Sequence, residues 1–314
     1  MIKLFCVGDN NVDIYLNQKR VFPGGCALNA AAFSAMQGHK VTFVSSVGND
    51  RLGELQLGVL KNLGVDVSKA HVVDCQTAWC YILLNGNDRV FGKGFRGAKQ
   101  FLPVSAEDVA IGQTGEYDLI YTCTDSVYGE GAFEQFGKSP IPAFCDFSDY
   151  WTPESLEKGC RIFSHVGFSC PEMNREQVEE LLKKCISDGA ELAIGTMGMD
   201  GSLVYNGREF FYQKAVRVDA VDTLGAGDSF LSTFICSYFD GKKQMNAILN
   251  RLVCNEEVKT GAEEWERLVI KESMAKAALF AAATCQNHGA FGHDIEFDYD
   301  MVARSDCDIH MGAR

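Results

Sequence analysis

The sequence predicts an α/β protein: a mainly parallel central sheet flanked by helices, with a small β-sheet lid beside it. Three observations carry that expectation. Short apolar runs alternate with helix-patterned stretches along most of the chain, the pattern of parallel strands joined by crossover helices. Two strand-like segments, one after the first strand and one around residue 85, break the alternation and so belong to a separate sheet. The chain has 314 residues, 46% hydrophobic and 23% charged, a balance that can build a sizeable core and excludes collagen-like or disordered classes.

The elements follow in chain order. Strands are expected over 2–8 and 41–47, with a small-residue helix over 27–37 between them. Leu52, Leu55 and Leu60 recur at helical spacing over 51–62. Further strands are expected over 118–122, 143–147 and 192–196, an amphipathic helix over 174–187, and buried helices over 229–238 and 271–286. The residues 13–22 read as strand, and 79–91 as a hairpin turning at Asn85-Gly86-Asn87-Asp88. A lid formed by 13–23 and 77–101 within one domain over 1–314 is therefore expected. The charged run 256–266 reads as an insertion before the last helix, and the acidic segment 292–314 as a peripheral tail.

Charge and cysteine usage narrow the function classes. Asp and Glu number 42 against 29 Lys and Arg, a formal net charge of -13. A phosphate-backbone binder needs a basic footprint, so nucleic acid is not an expected partner. No apolar run reaches the roughly 18 residues a membrane span needs, and MIKLFCVGD meets an acidic residue too early for a secretory signal, so neither a membrane nor an export route is expected and a cytoplasmic location is. The 13 cysteines show no C-x-x-C pair and read as reduced core residues.

The most informative segment is Val218–Ile235, VDAVDTLGAGDSFLSTFI. Gly225, Ala226 and Gly227 form a tight turn into an apolar helix, which aims unpaired N–H groups and the positive end of a helix dipole at one point. Asp228 sits beside this anion hole, where a carboxylate can take the proton of an attacking hydroxyl. The same residues also describe a glycine turn with an aspartate at the helix start. Gly24 and Gly25 precede Asn29 in PGGCALN, so backbone can approach a ligand closely there. Asp13 can accept from two vicinal hydroxyls. Thr196, Gly198 and Gly201 follow a strand, either as a phosphate shelf or as a plain hairpin turn. Gly131…Gly137-Lys138-Ser139 imitates a P-loop but has five intervening residues instead of four, and no G-x-G-x-x-G follows the first strand. His288 and His293 are five apart, which suits neither an i, i+4 metal pair nor H-E-x-x-H.

Taken together these residues resemble the ribokinase-like (PfkB-type) sugar kinases. Gly24-Gly25, Asn29-Ala30-Ala31, Gly38 and Gly48 match one family signature, Asp222–Asp228 running into Ser232 the other, with Thr196–Gly201 and Gly289-Ala290 in the family's order. GDNNVDIY, NDRVFG, DFSDYW and NHGAF are similar to the branch of the family that phosphorylates fructosamines such as fructoselysine at the 6-hydroxyl. The resemblance implies transfer of the ATP γ-phosphoryl group to a primary sugar hydroxyl. It implies Asp228 as general base, with the Gly225, Ala226 and Gly227 amides holding developing charge. Asp13, Gly24, Gly25, Asn29 and Arg96 would hold the sugar, and Thr196, Gly198, Gly201 and Asn174 the nucleotide. Mg²⁺ would accompany ATP, bridged mainly through water, and no protein ligand is assigned to it. Another sugar or nucleoside as acceptor, or a sugar-binding protein without catalysis, are the alternative readings. The family's N-x-x-E motif is replaced here by Asn174-x-x-Gln177, Cys26 follows the paired glycines, and Thr233 replaces a small residue. An exposed lid face carrying Trp79, Tyr81, Leu83 and Phe91 predicts a homodimer formed through the lid.

Overall fold

The computed structural model describes residues 1–85 and 88–302. Its centre is an eight-stranded sheet, running in space Phe210–Gln213, Ser202–Tyr205, Leu192–Thr196, His165–Ser169, Ala143–Asp146, Leu119–Cys123, Lys3–Val7 and Lys40–Val44. The strands from Leu192–Thr196 to Lys40–Val44 are parallel, and the two at the other edge join them antiparallel as a meander. Parallel strands need cover on both faces, and Lys3–Val7 shows it residue by residue. Leu4 and Cys6 enter one core with Phe33, Phe234 and Ile270, whereas Phe5 and Val7 enter the other with Val109, Leu156 and Val178. The first core is covered by the helices Cys26–Met36, Ala226–Leu249 and Glu256–Thr284, the second by Ala106–Gly112, Pro153–Cys160 and Arg175–Asp188.

A second sheet of five strands stands apart, in the order Ile295–Glu296, Arg20–Gly24, Asn11–Tyr15, Trp79–Asn85 and Asp88–Phe95. The run 13–22 is thus two antiparallel strands, reversed at Lys19, which adopts φ 51. Asn85 pairs with Asp88 across the hairpin tip, whose Gly86 and Asn87 lie outside the described residues. One face of the small sheet packs Tyr15, Phe22, Cys80 and Ile82 with Leu224 of the main body; the other gathers Val12, Ile14 and Trp79 with Leu52, Phe297 and Met301.

Three expectations change. The run 256–266 is no insertion but the start of one continuous helix, Glu256–Thr284, capped by the Asn255 side chain accepting from Val258 N. Its buried positions begin only at Val269, so the first turns carry no apolar pattern to read. After Gly292, Ile295–Glu296 pairs antiparallel with Val21 and Arg20, and Phe297 and Met301 cover the small sheet; residues 303–314 lie outside those described. Trp79 is buried under that cover and Tyr81 half-buried against Phe297, so of the four apolar side chains expected on an open face only Leu83 and Phe91 are exposed.

Candidate active site

A cleft of about 830 Å³ opens between the C-terminal ends of the parallel strands and the small sheet, the usual ligand position in an open α/β sheet. Two helix N-termini converge on it. The helix Ala226–Leu249 begins after Gly225 at φ 75, where a Cβ would meet Ala290 Cβ at 2.5 Å. The helix Cys26–Met36 begins after Gly25 at φ 102, where a Cβ would lie 2.6 Å from Asn10 Cα. Both turns therefore need glycine, and residues of both helix starts line the cleft. Ala226 N–H is turned toward the Thr223 carbonyl at 3.3 Å, while Gly225 and Gly227 line the cleft wall.

Asp228 lies in the first turn of its helix and receives a 2.6 Å hydrogen bond from Asn29 Nδ2, on the other helix. The loop ahead of it is pinned by Asp222, which is fully buried. Its carboxylate accepts from Leu224 N and Gly289 N, both at 3.0 Å, and from Tyr15 Oη at 2.5 Å, tying the loop to the small sheet. Asp13 lines the cleft from the small sheet, 5% exposed, accepting from Asn11 Nδ2 at 3.0 Å. Gly24 does not line the cleft but makes room for Asp13, since a Cβ there would sit 2.1 Å from Asp13 Oδ2. Arg96 also lines the cleft.

The expected nucleotide residues are placed less uniformly. Thr196 ends its strand with Oγ1 3.1 Å from Ser169 Oγ, and Ser169 lines the cleft. Gly198, at φ 56, and Gly201, at φ 93, shape the turn into Ser202–Tyr205, so the hairpin expected as the alternative is present. Asn174 stands outside the cleft. Its side chain caps Arg175–Asp188, accepting from Gln177 N at 3.0 Å while Gln177 Oε1 accepts from Asn174 N at 2.9 Å. Gln177 is thus the third residue of a reciprocal cap, which accounts for the altered N-x-x-E pattern.

Sequence reasoning assigned no role to four further carboxylates lining the cleft, Asp9, Asp125, Asp146 and Asp149. Asp9 accepts from Cys26 N at 3.3 Å and pairs with Lys99. Asp125 approaches Cys26 Sγ at 3.6 Å. Asp146, at the end of its strand, accepts from Tyr121 Oη at 3.0 Å and Ser148 N at 2.8 Å. Burial and the neighbouring Asp228 push its carboxyl up to about 8. DFSD was the one available signal for it. The hydrogen bond to Cys123, burial and Asp228 together push the Cys26 thiol well up.

Among the described residues Cys26, Asp146 and Asp228 bring one ligand atom each within 4.8 Å of one another. A thiol and a buried carboxyl that favours its proton do not suit Mg²⁺, which takes hard oxygen ligands in octahedral geometry. The trio is therefore not a magnesium cage.

A model of the pfkB family of carbohydrate kinases matches residues 1–130 and 167–294. The chain belongs to the pfkB carbohydrate kinases. This kinase is 30% identical over 296 residues to a fructoselysine 6-kinase of Shigella flexneri, an alignment spanning 93% of this chain and 100% of that one. It is 28% identical to the fructosamine kinase FrlD of Bacillus subtilis, over 93% and 94% of the two chains. The ribokinase structure from Giardia lamblia superposes with a TM-score of 0.72 over 93% and 96% of the chains at 15% identity, which identifies the fold as ribokinase-like. This carbohydrate kinase accordingly uses ATP to phosphorylate a hydroxyl of a small sugar. No described helix is long and apolar enough to cross a membrane.

Proposed function

We propose that this kinase phosphorylates the 6-hydroxyl of fructoselysine or a closely similar fructosamine, with Mg²⁺-ATP as donor. The observation that carries the reading is the meeting of Asp228, Asn29 and a glycine-started helix N-terminus at one end of the cleft, with Asp13 facing them. Similarity to a fructoselysine 6-kinase and a fructosamine kinase along nearly the whole chain supports the choice of acceptor.

In this reading Asp13, Gly25, Asn29 and Arg96 hold the sugar, with Gly24 giving Asp13 its place. Asp228 takes the proton of the 6-hydroxyl as its oxygen attacks the γ-phosphorus. The amides at Gly225 and Gly227, with the helix dipole behind them, face the charge that develops on the transferring group. Ala226 completes the turn. Thr196, Gly198 and Gly201 border the nucleotide, and Asn174 acts at one remove by capping the adjoining helix. Mg²⁺ bound with the donor would neutralise charge on its phosphates, and no side chain of the site is assigned to hold it. The small sheet serves as a lid that excludes water, which otherwise competes as acceptor. Leu83, Val90 and Phe91 are exposed on its last two strands and suit pairing with a second lid in a homodimer.

The test is ADP release with Mg²⁺-ATP against fructoselysine, ribose, fructose and adenosine. Selective turnover of fructoselysine is expected. Preference for another acceptor would discard the fructosamine reading and keep the kinase.

A further inference from the structure

Asp146 is 2% exposed, and among the described residues its side-chain partners are neutral donors, Tyr121 and the Ser148 amide. A carboxylate oxygen of Asp228 lies within 4.8 Å of one of its own. Two carboxylates at that separation, one of them fully buried, do not both ionise at neutral pH. Asp228 is better placed to carry the charge. It lies at the positive end of a helix dipole, accepts from Asn29 at 2.6 Å and borders the open cleft.

We propose that Asp146 is a positioning residue acting through Asp228: held as a neutral carboxylic acid, it leaves Asp228 the one anion of the pair, and its ionisation would set a second negative charge against the arriving γ-phosphate. This rests on the reading of Asp228 as the base. Burial first, then Asp228, push the Asp146 carboxyl up to about 8, Asp125 adds to the rise, and the Ser148 and Tyr121 donors work against it. Other titratable groups near it are Cys26 from the helix Cys26–Met36, Tyr121 from the adjacent strand and Cys145 in its own, while Asp149, Lys93 and Arg96 line the same cleft. Burial holds the Tyr121 phenol and the Cys145 thiol well above their usual ranges, and the Cys26 thiol is likewise raised. Lys99, also in the cleft, is paired with Asp9. Asp228 and Asp125 are the charged groups that raise the Asp146 carboxyl.

The chemical step keeps its balance without Asp146 changing state. The sugar O–H bond breaks, its proton moves to Asp228, and the oxygen's electron pair forms the new O–P bond. The bond from the γ-phosphorus to the bridging oxygen breaks with its pair, which leaves on ADP. Asp228 then returns its proton to solvent in the cleft, while Asp146 keeps its own.

The test compares the pH dependence of kcat in wild type and Asp146→Asn, with Mg²⁺-ATP and the best acceptor of the panel. Wild-type turnover should fall about tenfold per unit once the pH passes the Asp146 carboxyl, as a single inhibitory ionisation requires. Asp146→Asn should lack that alkaline limb and keep the acid limb set by Asp228. An unchanged alkaline limb in the variant overturns the proposal. A second readout needs no active variant: the infrared C=O stretch of a protonated carboxylic acid, followed in wild type from pH 6 to 10. A band at neutral pH that fades through the same range as turnover supports the proposal, and its absence at neutral pH overturns it. Asp228→Asn separates the two readings. If it keeps wild-type turnover, the base assignment fails; if it loses turnover while Asp146→Asn retains the alkaline limb, only the role of Asp146 falls.

Discussion

The strands Ala143–Asp146 and His165–Ser169 lie side by side, and each buries a titratable group at the opposite end from the other. His165, paired in register with Phe144, sits among the rings of Tyr238 and Phe239, with Nδ1 2.8 Å from Ser164 Oγ and Nε2 without a partner among the described residues. Asp146, opposite Gly167, faces the cleft and a second carboxylate. Burial pushes the imidazole down to about 3 and the carboxyl up to about 8, each toward its neutral form. What differs is the surroundings. The histidine end offers rings and Lys242, whose charge also favours the neutral imidazole, so its neutrality serves packing. The aspartate end offers Asp228, so neutrality there sets the charge of a site. Equal burial on one sheet thus yields a core filler at one end and a tuned group at the other.

The largest effect that sharpens this contrast is at the cleft end. Asp228→Asn should lower turnover about 10²–10⁴-fold, the usual worth of a general base, with little change in Tm. The same variant removes a neighbouring negative charge, which makes ionisation of Asp146 easier, so the fading of its infrared band should move to lower pH. Gly225→Ala comes next. A side chain at φ 75 costs about 1–3 kcal/mol, and its contact with Ala290 adds to that and displaces the helix start. A lower Tm together with reduced turnover is expected, and an unaffected Tm would show that the turn tolerates a Cβ.

The pH dependence of stability offers a way to break the contrast. Asp146 has a folded pKa raised above its unfolded value, so the stability present at acid pH is lost as pH rises from about 4 through about 8. His165 has a folded pKa lowered from 6.5, so stability present above that value is lost as pH falls toward about 3. His39, lowered to about 4 by burial, adds to the acid loss. Denaturant titrations of Asp146→Asn should flatten the loss of stability between about pH 4 and 8, and those of His165→Leu should reduce the loss below pH 6.5 without removing it. Opposite results at either end would mean that the neighbours, and not burial, set both groups. The smallest effect concerns the lid: Phe91→Ser should weaken a lid-mediated dimer, read as a lower mass at micromolar concentration, with Tm near wild type because the ring is exposed.

Legibility from the sequence followed the range of the interactions involved. The turn Gly225-Ala226-Gly227 and the aspartate after it were readable because local backbone conformation and a helix start depend on adjacent residues. The hairpin at Thr196 was readable for the same reason. The continuous helix Glu256–Thr284 was not, since its exposed first turns have no core to pattern them. Asp146 was visible as part of DFSD, but nothing near it in the chain says that it meets Asp228.

By itself, then, the sequence determined the alternation of strands and helices, the separate small sheet, the glycine-started helix and the identity of the expected base. Periodicity, turn chemistry and charge are properties of neighbouring residues, and they survive without knowledge of the fold. Tertiary structure decided the rest: Asn29 beside Asp228, Asp222 tied to Tyr15, the segment after Gly292 folded onto the small sheet, and two carboxylates brought together from different elements. Each of those contacts joins residues far apart in the chain, and only the order of strands in the sheet brings them within reach.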